Sequence, residues 1–374
     1  QKQNPKAIPM LMVAFTAVEK HTLHKGGIYM DIKYTPILRW KNGEKNCLEH
    51  LSPDVSRQIV PFVEVSPPTD SSTDEAAEKK LSKLISSFNV SWTNKPFYLY
   101  LSDDWYASAD SPEQISEIYK DLFKGINHPK AIPAFDITDE INISNNTALT
   151  TSNGICLRIS GNSFELLNQS LSDYVEKSWI TPQNTDLLID LKYIEEDIYP
   201  KKAVLTTAIS DIPNISDYRR IIIASCSFPK DVSNLRSDVV NEFKRHEVSI
   251  HKISLDLESK FGFNYVYADY GPMNLNETTF APYMVPNFKI KYSTADKYLV
   301  VKGLSLKKGG LELANVMAGC RLLVNHPQYS GENFSYGDKI IATTANGTNT
   351  KSGNLTNWVG HSFNHHITLI VSLM

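Results

Sequence analysis

The stretch DLLIDLKYIEEDIYPKKAVLTTAISDIPNISDYRRIIIAS, residues 186–225, holds the unit from which the fold is read. Two short apolar runs, DLLIDLKY (186–193) and RRIIIAS (219–225), flank a helical pattern, KAVLTTAIS (202–210). Strand, helix and strand in that order form a parallel crossover, and strands covered by helices on both faces are apolar almost throughout. The alternation repeats outward from this unit. Upstream lie YTPILRW (34–40), IVPFVEV (59–65), PFYLYLS (96–102), AIPAFDI (131–137) and GICLRIS (154–160), and downstream lies NYVYADY (264–270). Eight runs in alternation predict a (β/α)8 TIM-like barrel; the alternative is a doubly wound open parallel sheet. A closed barrel gathers eight C-terminal strand ends at one rim, whereas an open sheet spreads them along a line.

Helices are expected over GEKNCLEHLS (43–52), DEAAEKKLSKLISSF (74–88), SPEQISEIYKDLFKGI (111–126), SFELLNQSLSDYVEKSW (163–179), KAVLTTAIS and SDVVNEFKRHEVSIHKISLDLESK (237–260). Leu81, Leu84 and Ile85, like Ile118, Leu122 and Ile126, fall three and four apart on one face. Ser111 followed by Pro112 and Glu113 reads as an N-cap, a first helical residue and a charge suited to the helix dipole. The connection DITDEINISNNTALTTSN (136–153) is too polar and β-branched for a good helix, which makes it the weakest unit.

Beyond Gly271 the pattern changes. NFKIKYS (287–293) and KYLVVKG (297–303) predict a hairpin, GLELANVMAGCRLLV (310–324) a helix, and KIIATTA (339–345) and HITLIVSL (366–373) strands. YGPMNLNETTFAPYMVPN (270–287), punctuated by Pro272, Pro282 and Pro286, marks the boundary between a barrel over 30–282 and a C-terminal α+β region over 283–374 that packs on it or covers one mouth. At the other end, residues 1–29 are expected to be a read-through extension. Lys25-Gly26-Gly27-Ile28-Tyr29-Met30 is encodable as AAA GGA GGT ATT TAT ATG, a ribosome-binding site ahead of a start codon, which would make Met30 the native first residue. A native extension and a targeting segment are the alternatives, the latter lacking a small-x-small cleavage pattern after IPMLMVAFTAV (8–18).

Apolar residues at 41% and charged residues at 21% of 374 supply a sizeable core, and a formal net charge of −3 gives no overall basic surface for nucleic acid. Cys47, Cys156, Cys226 and Cys320 are far apart, and Cys156 and Cys226 lie in apolar runs, so they read as reduced core residues of a cytoplasmic protein. No apolar run reaches the length of a membrane span.

In a barrel, chemistry belongs at the C-terminal strand ends. Those ends carry Lys41 and Glu44, Glu64, Asp103 and Asp104, Asp136, Arg158, Asp190 and Lys192, Ser225 and Ser227, and Asp269. Glu64, Asp136, Arg158, Asp190 and Asp269 sit between apolar residues, where a charge is costly unless it is paired, hydrogen-bonded or bound to a metal. One reading is a closed network in which Arg158 and a lysine neutralise the carboxylates. The other is a polar pocket whose surplus acids, Glu64, Asp136 and Asp190, hold Mg²⁺ or Mn²⁺, oxygen ligands being suited to those ions. Arg158 and Lys41 would then grip a phosphate, Asp269 would act as general base, and Lys192 and Ser225 would line the substrate site, giving phosphoester or nucleotide chemistry. Trp40 beside Lys41 is a candidate for stacking a base, although an aromatic at a barrel edge is usually core. The partners this site admits are a phosphorylated small molecule or nucleotide, or a protein; the rival class is a non-catalytic binding or regulatory module that senses a partner component through its C-terminal region and loops such as 139–153 and 341–357. His361, His365 and His366 in HSFNHH could bring two imidazoles near one metal but match no zinc motif. GGIY (26–29) shares only letters with a nuclease motif.

YTPILRWKNGEKNCLEHLS (34–52) followed by IVPFVEV, with YGDK (336–339) and WVGHSFNHHITLIV (358–371) near the end, resembles the beta protein family of bacteria and phages, over residues 33–371. Members of that family start close to the Tyr-x-Pro-Ile-Leu-x-Trp-Lys-x-Gly-Glu pattern, which favours Met30 as the start. The resemblance implies no particular chemistry; what it adds is an expectation of a role in phage–host conflict, in defence or counter-defence.

Overall fold

The computed structural model describes residues 32–68, 74–139, 153–175, 181–237, 239–273, 275 and 285–374. Every apolar run becomes a strand: β1 (Tyr34–Arg39), β2 (Phe62–Val65), β3 (Phe97–Leu101), β4 (Ala131–Asp136), β5 (Ile155–Ser160), β6 (Thr185–Tyr193), β7 (Arg220–Cys226) and, after a short β8 (Asn241–Lys244), β9 (Tyr265–Asp269). Among the described residues all of these but β8 pair in parallel and in order. β9 then pairs back to β1, Tyr34 opposite Tyr267 and Pro36 opposite Asp269, so the sheet is a closed barrel and not an open one.

Helices cover the barrel: α1 (Asn42–Glu49), α2 (Pro53–Ser56), α3 (Asp74–Ser91), α4 (Asp103–Ser108), α5 (Pro112–Ile126), α6 (Leu167–Val175), α7 (Tyr199–Asp211) and α8 (Glu247–Phe261). Ser111 caps α5 by accepting the Gln114 amide, with Pro112 at the first helical position. Side chains alternate across each strand, and the barrel interior identifies itself by bonds between strands that are not neighbours. Tyr98 of β3 donates to Asp186 of β6 at 2.6 Å through the interior, where Arg219 and Arg220 also bind that carboxylate near the N-terminal end. The four cysteines are free and buried. Of the weak connection, 136–153, residues 140–152 lie outside the described residues, as do residues 1–29 of the read-through reading.

The C-terminal part adds β10 (Asn287–Ser293), β11 (Lys297–Ser305), α9 (Leu313–Val324), α10 (Tyr336–Ala345) and α11 (Leu355–Leu373). The hairpin forms as expected, and β8 joins it in a sheet of order β10-β11-β8. The expected helix over 237–260 therefore starts only at Glu247. Asn241-Glu242-Phe243-Lys244 alternates at the period of a strand, and Phe243 pairs with Tyr298. Two further expectations are corrected. KIIATTA and HITLIVSL, read as strands for their β-branched residues, lie in α10 and α11, because helix burial overrides that preference. The stretch 341–357 is thus not one loop: α10 ends at Ala345 and α11 begins at Leu355.

One face of the three-stranded sheet, Phe288, Ile290, Tyr292, Leu299 and Val301, packs on Val316, Cys320, Leu323, Ile341 and Trp358 in a second core. α11 is buried on most sides and lies against α1, α10 and β10. Gly360 permits the α1 crossing, since a Cβ there would come within 2.9 Å of the Gly43 carbonyl oxygen. Among the described residues no helix is long and apolar enough to cross a membrane.

Candidate binding site at the barrel mouth

Arg158 on β5 points into the barrel and is almost fully buried. Its guanidinium meets Asp190 of β6 through Nε at 3.0 Å and Nη2 at 2.6 Å, and Glu64 of β2 through Nη1 at 2.9 Å. β2 lies three strands away, so the Glu64 contact spans the interior. Tyr270, one residue past β9, accepts from Arg158 Nη2 at 2.9 Å and donates to Asp190 Oδ2 at 2.5 Å. The Tyr100 and Phe62 rings lie 4.7 and 5.4 Å from the guanidinium carbon.

Lys192 completes the set. A register irregularity between Asp190 and Tyr193 lets β6 turn its tip, and Lys192 takes φ of 55°, a left-handed conformation unfavourable for a side chain with a Cβ. Its amide donates to Asp190 Oδ1 at 2.9 Å, and its ammonium lies 3.3 Å from Asp190 Oδ2 and 5.8 Å from the Tyr270 ring centroid. Burial alone would raise the Asp190 carboxyl, but Arg158, Lys192 and the Tyr270 hydroxyl hold it at about 2. Two cations, Arg158 and Lys192, balance two anions, Glu64 and Asp190. Of the four, Lys192 and Glu64 reach solvent, with 42% and 16% of their side chains exposed.

This balance bears on the metal reading. Asp190 Oδ2 already takes two guanidinium contacts, a phenol hydroxyl and an ammonium, and Asp136 Oδ1 takes the Thr138 amide and hydroxyl at 3.0 and 2.7 Å. Among the described residues no group of three or more His, Cys, Asp or Glu side chains is placed to hold a metal ion. Glu64, Asp136 and Asp190 each accept from protein donors, and Arg158 and Lys192 match the charges of Glu64 and Asp190.

Asp269 lies elsewhere. Tyr270 faces inward, so its neighbour Asp269 faces outward, under α8, α11 and the added sheet. Five donors surround the carboxylate: Tyr34 Oη at 2.5 Å, Tyr267 Oη at 2.8 Å, the Gly271 amide at 3.0 Å, Arg245 Nη2 at 3.2 Å and His366 Nε2 at 2.9 Å. Burial would raise this carboxyl; His366 and Arg245 hold it well below the ordinary range, while burial lowers His366. The arrangement is an Arg245–Asp269 ion pair joined by His366, whose Nε2 donates to the carboxylate while its Nδ1 lies 2.7 Å from Ser293 Oγ. Ser293, His366 and Asp269 have the residue types of a nucleophilic triad, but all three are sealed from solvent, so they clamp α11 to the barrel. Ser225, opposite Asp269 in register, shares that outward face.

The other expected residues divide. Trp40 is core: its ring stacks on Phe88 at 4.2 Å and its Nε1 donates to Ser87 Oγ at 2.7 Å. Lys41 is exposed at the rim as the residue preceding α1. His365 donates through Nε2 to the Ser293 carbonyl at 2.8 Å and pairs through Nδ1 with Asp338 Oδ2 at 2.7 Å, so it and His366 serve different partners. Tyr270 and Tyr100 were not anticipated; each follows the strand alternation that places Glu64 and Asp190 inside. Asp139 was also missed. Burial pushes its carboxyl up to about 7, against the hydrogen bond from Tyr106.

No curated relative matches the chain. The family profile described as "Beta protein" matches residues 34–372, from the first barrel strand to the last turn of α11, and the chain belongs to the beta protein family.

Proposed function

We propose that the chain is a ligand-binding barrel whose C-terminal mouth takes a small phosphorylated molecule or nucleotide, with Lys192 contacting the anionic group above the Arg158–Asp190–Glu64 floor. The observation that carries this reading is the backbone at Lys192. A non-glycine residue in the left-handed region costs free energy, and such outliers concentrate where a side chain must be aimed. Here the outlier stands at the C-terminal end of a barrel strand, where barrels place their sites, and it presents an ammonium at the mouth. Glu64 and Lys192 both reach solvent, one as a hydrogen-bond acceptor and the other as a donor, while Lys192 brings the charge of the Arg158–Asp190–Glu64 floor to balance and the buried Arg158–Asp190 pair holds the site rigidly. Binding without metal is the part of the phosphoester reading that this donor set supports.

Thermal melting of the full chain against inorganic pyrophosphate, AMP and ATP, each with and without Mg²⁺, tests this. An anion that binds the native state raises the melting temperature. The expected result is metal-independent stabilisation by at least one of the three, lost in Lys192→Ala. Stabilisation by Mg²⁺ alone that Glu64→Gln abolishes would overturn the reading in favour of a metal centre.

A further inference from the structure

The sheet of β10, β11 and β8 has a second face whose chemistry changes along its length. Near the turn of the hairpin it carries Ser293, Tyr298 and Val300, and the last two belong to the barrel core. Farther along, the same face carries Lys291, Lys289 and Lys302. Lys289 and Lys302 are directly opposite in register, and Lys291 follows Lys289 on the same side of β10. Like charges directly opposite in a sheet destabilise it. Lysines on an edge strand guard against pairing with other chains, but that role does not explain Lys302, which lies on the central strand.

These lysines begin where the barrel ends. The Lys291 ammonium sits 4.7 Å from the ring centroid of Phe228, two residues beyond β7. It interacts electrostatically with Arg39 at the end of β1, Glu44 of α1, Cys226 at the end of β7 and Lys289. Lys302 donates to the Ser233 carbonyl at 2.6 Å, and Asp231 of that same β7–β8 connection feels both Lys289 and Lys302. Asp231 is occupied by the Ser233 amide and hydroxyl at 2.7 and 2.9 Å, and Glu44 is buried. Cations therefore outnumber anions on this ledge.

We propose that Lys289, Lys291 and Lys302 form a subsite for a phosphate or diphosphate group at the edge of the barrel mouth. The proposal rests on the binding reading above and specifies a polyanionic ligand, since three ammoniums without a bound anion repel one another. Burial lowers Lys291 to about 8, with Lys289 adding to the shift, so a bound anion would hold its proton to higher pH.

The test is calorimetric titration of the full chain with inorganic pyrophosphate. Losing one charge-assisted contact weakens binding by about tenfold, so the triple variant K289Q/K291Q/K302Q is expected to bind at least about a hundredfold more weakly. Without ligand it should melt no lower than the parent chain, because repulsion is removed. The double variant K289Q/K302Q keeps the Phe228 contact and should lose affinity by at least about tenfold in the same assay. With sulfate, whose charge is constant, affinity should fall as pH rises from about 7 to 9.5, and K291R should lessen that fall, with the remainder coming from Lys289, which burial also lowers. Parental pyrophosphate affinity in the triple variant would overturn the subsite while leaving the Lys192 reading intact. A lower melting temperature of the unliganded variants would assign the lysines to packing and overturn it too. Loss of binding in Lys192→Ala alone would leave the mouth reading and remove the ledge from it.

Discussion

Replacing Arg158 with Met removes the cation from a site that keeps its anions, and the structure sets the size of the effect. Asp190 is fully buried, and its carboxyl lies at about 2 in place of the usual 3.8, which corresponds to roughly 2 kcal/mol of native-state stabilisation of its charged form. Lys192 and Tyr270 remain to Asp190 in the variant, but Glu64 loses its guanidinium partner. Breaking a buried pair from one side costs about 3–5 kcal/mol, and the remaining lysine places Arg158→Met near about 3 kcal/mol. The double variant R158M/D190N removes both fully buried charges, leaving only the partly exposed Glu64 and Lys192, and should recover at least about half of the loss. Asp190 has a depressed carboxyl in the parent chain, so its contribution is present above pH 3.8 and disappears as pH falls through about 2. In R158M the carboxyl rises, and the stability deficit should shrink on acidification from pH 7 to pH 4.5. Urea unfolding followed by tryptophan fluorescence measures all three chains. Equal stability of R158M and R158M/D190N at pH 7, or a deficit indifferent to pH, would refute the argument that Arg158 exists to neutralise this pair.

Three other outcomes follow from the same structure. Lys192→Gly should be more stable than Lys192→Ala by about 1 kcal/mol in urea unfolding, because both lose the ammonium but only glycine relieves the left-handed backbone. Asp269→Asn leaves Arg245 buried without its counterion and should cost about 3–5 kcal/mol at pH 7; because the parent carboxyl is depressed, the gap to the parent chain should narrow below about pH 4. Gly337→Ala would bring a Cβ within 2.3 Å of the His361 carbonyl oxygen, and the forced separation of α10 from α11 should cost about 3 kcal/mol, read as a lower urea midpoint.

The barrel was legible because its strands are covered on both faces, and each of the eight runs is apolar, short and bounded by a helical pattern. The added region was harder. HITLIVSL is β-branched enough for a strand, yet it ends a nineteen-residue helix whose burial by α1, α10 and β10 decides the matter. NEFK is a polar half-strand that gains its identity only from Tyr298 and Leu299 across the ladder. Arg158, Glu64, Asp190 and Lys192 were legible as a group, since each is a charge within or ending an apolar run. Their closed charge balance was visible as one of two readings. Asp269 was assigned to the wrong side because YVYADY has apolar or aromatic residues at both phases, and nothing in those letters says which phase faces inward. Tyr270 settles it by bonding Asp190 through the interior. The lysine ledge had a signal, the alternation in NFKIKYS opposite KYLVVKG, but its relation to the mouth depends on how the sheet sits against the end of β7.

The most direct test of anion capture at the mouth is NMR of the full chain with its lysines reductively ¹³C-methylated, titrated with pyrophosphate and assigned by Lys→Arg variants. The account predicts saturable shifts at Lys192 and Lys291, with the exposed Lys260 of α8 unmoved. Shifts spread evenly over all lysines, or absent from Lys192 at saturation, would contradict it.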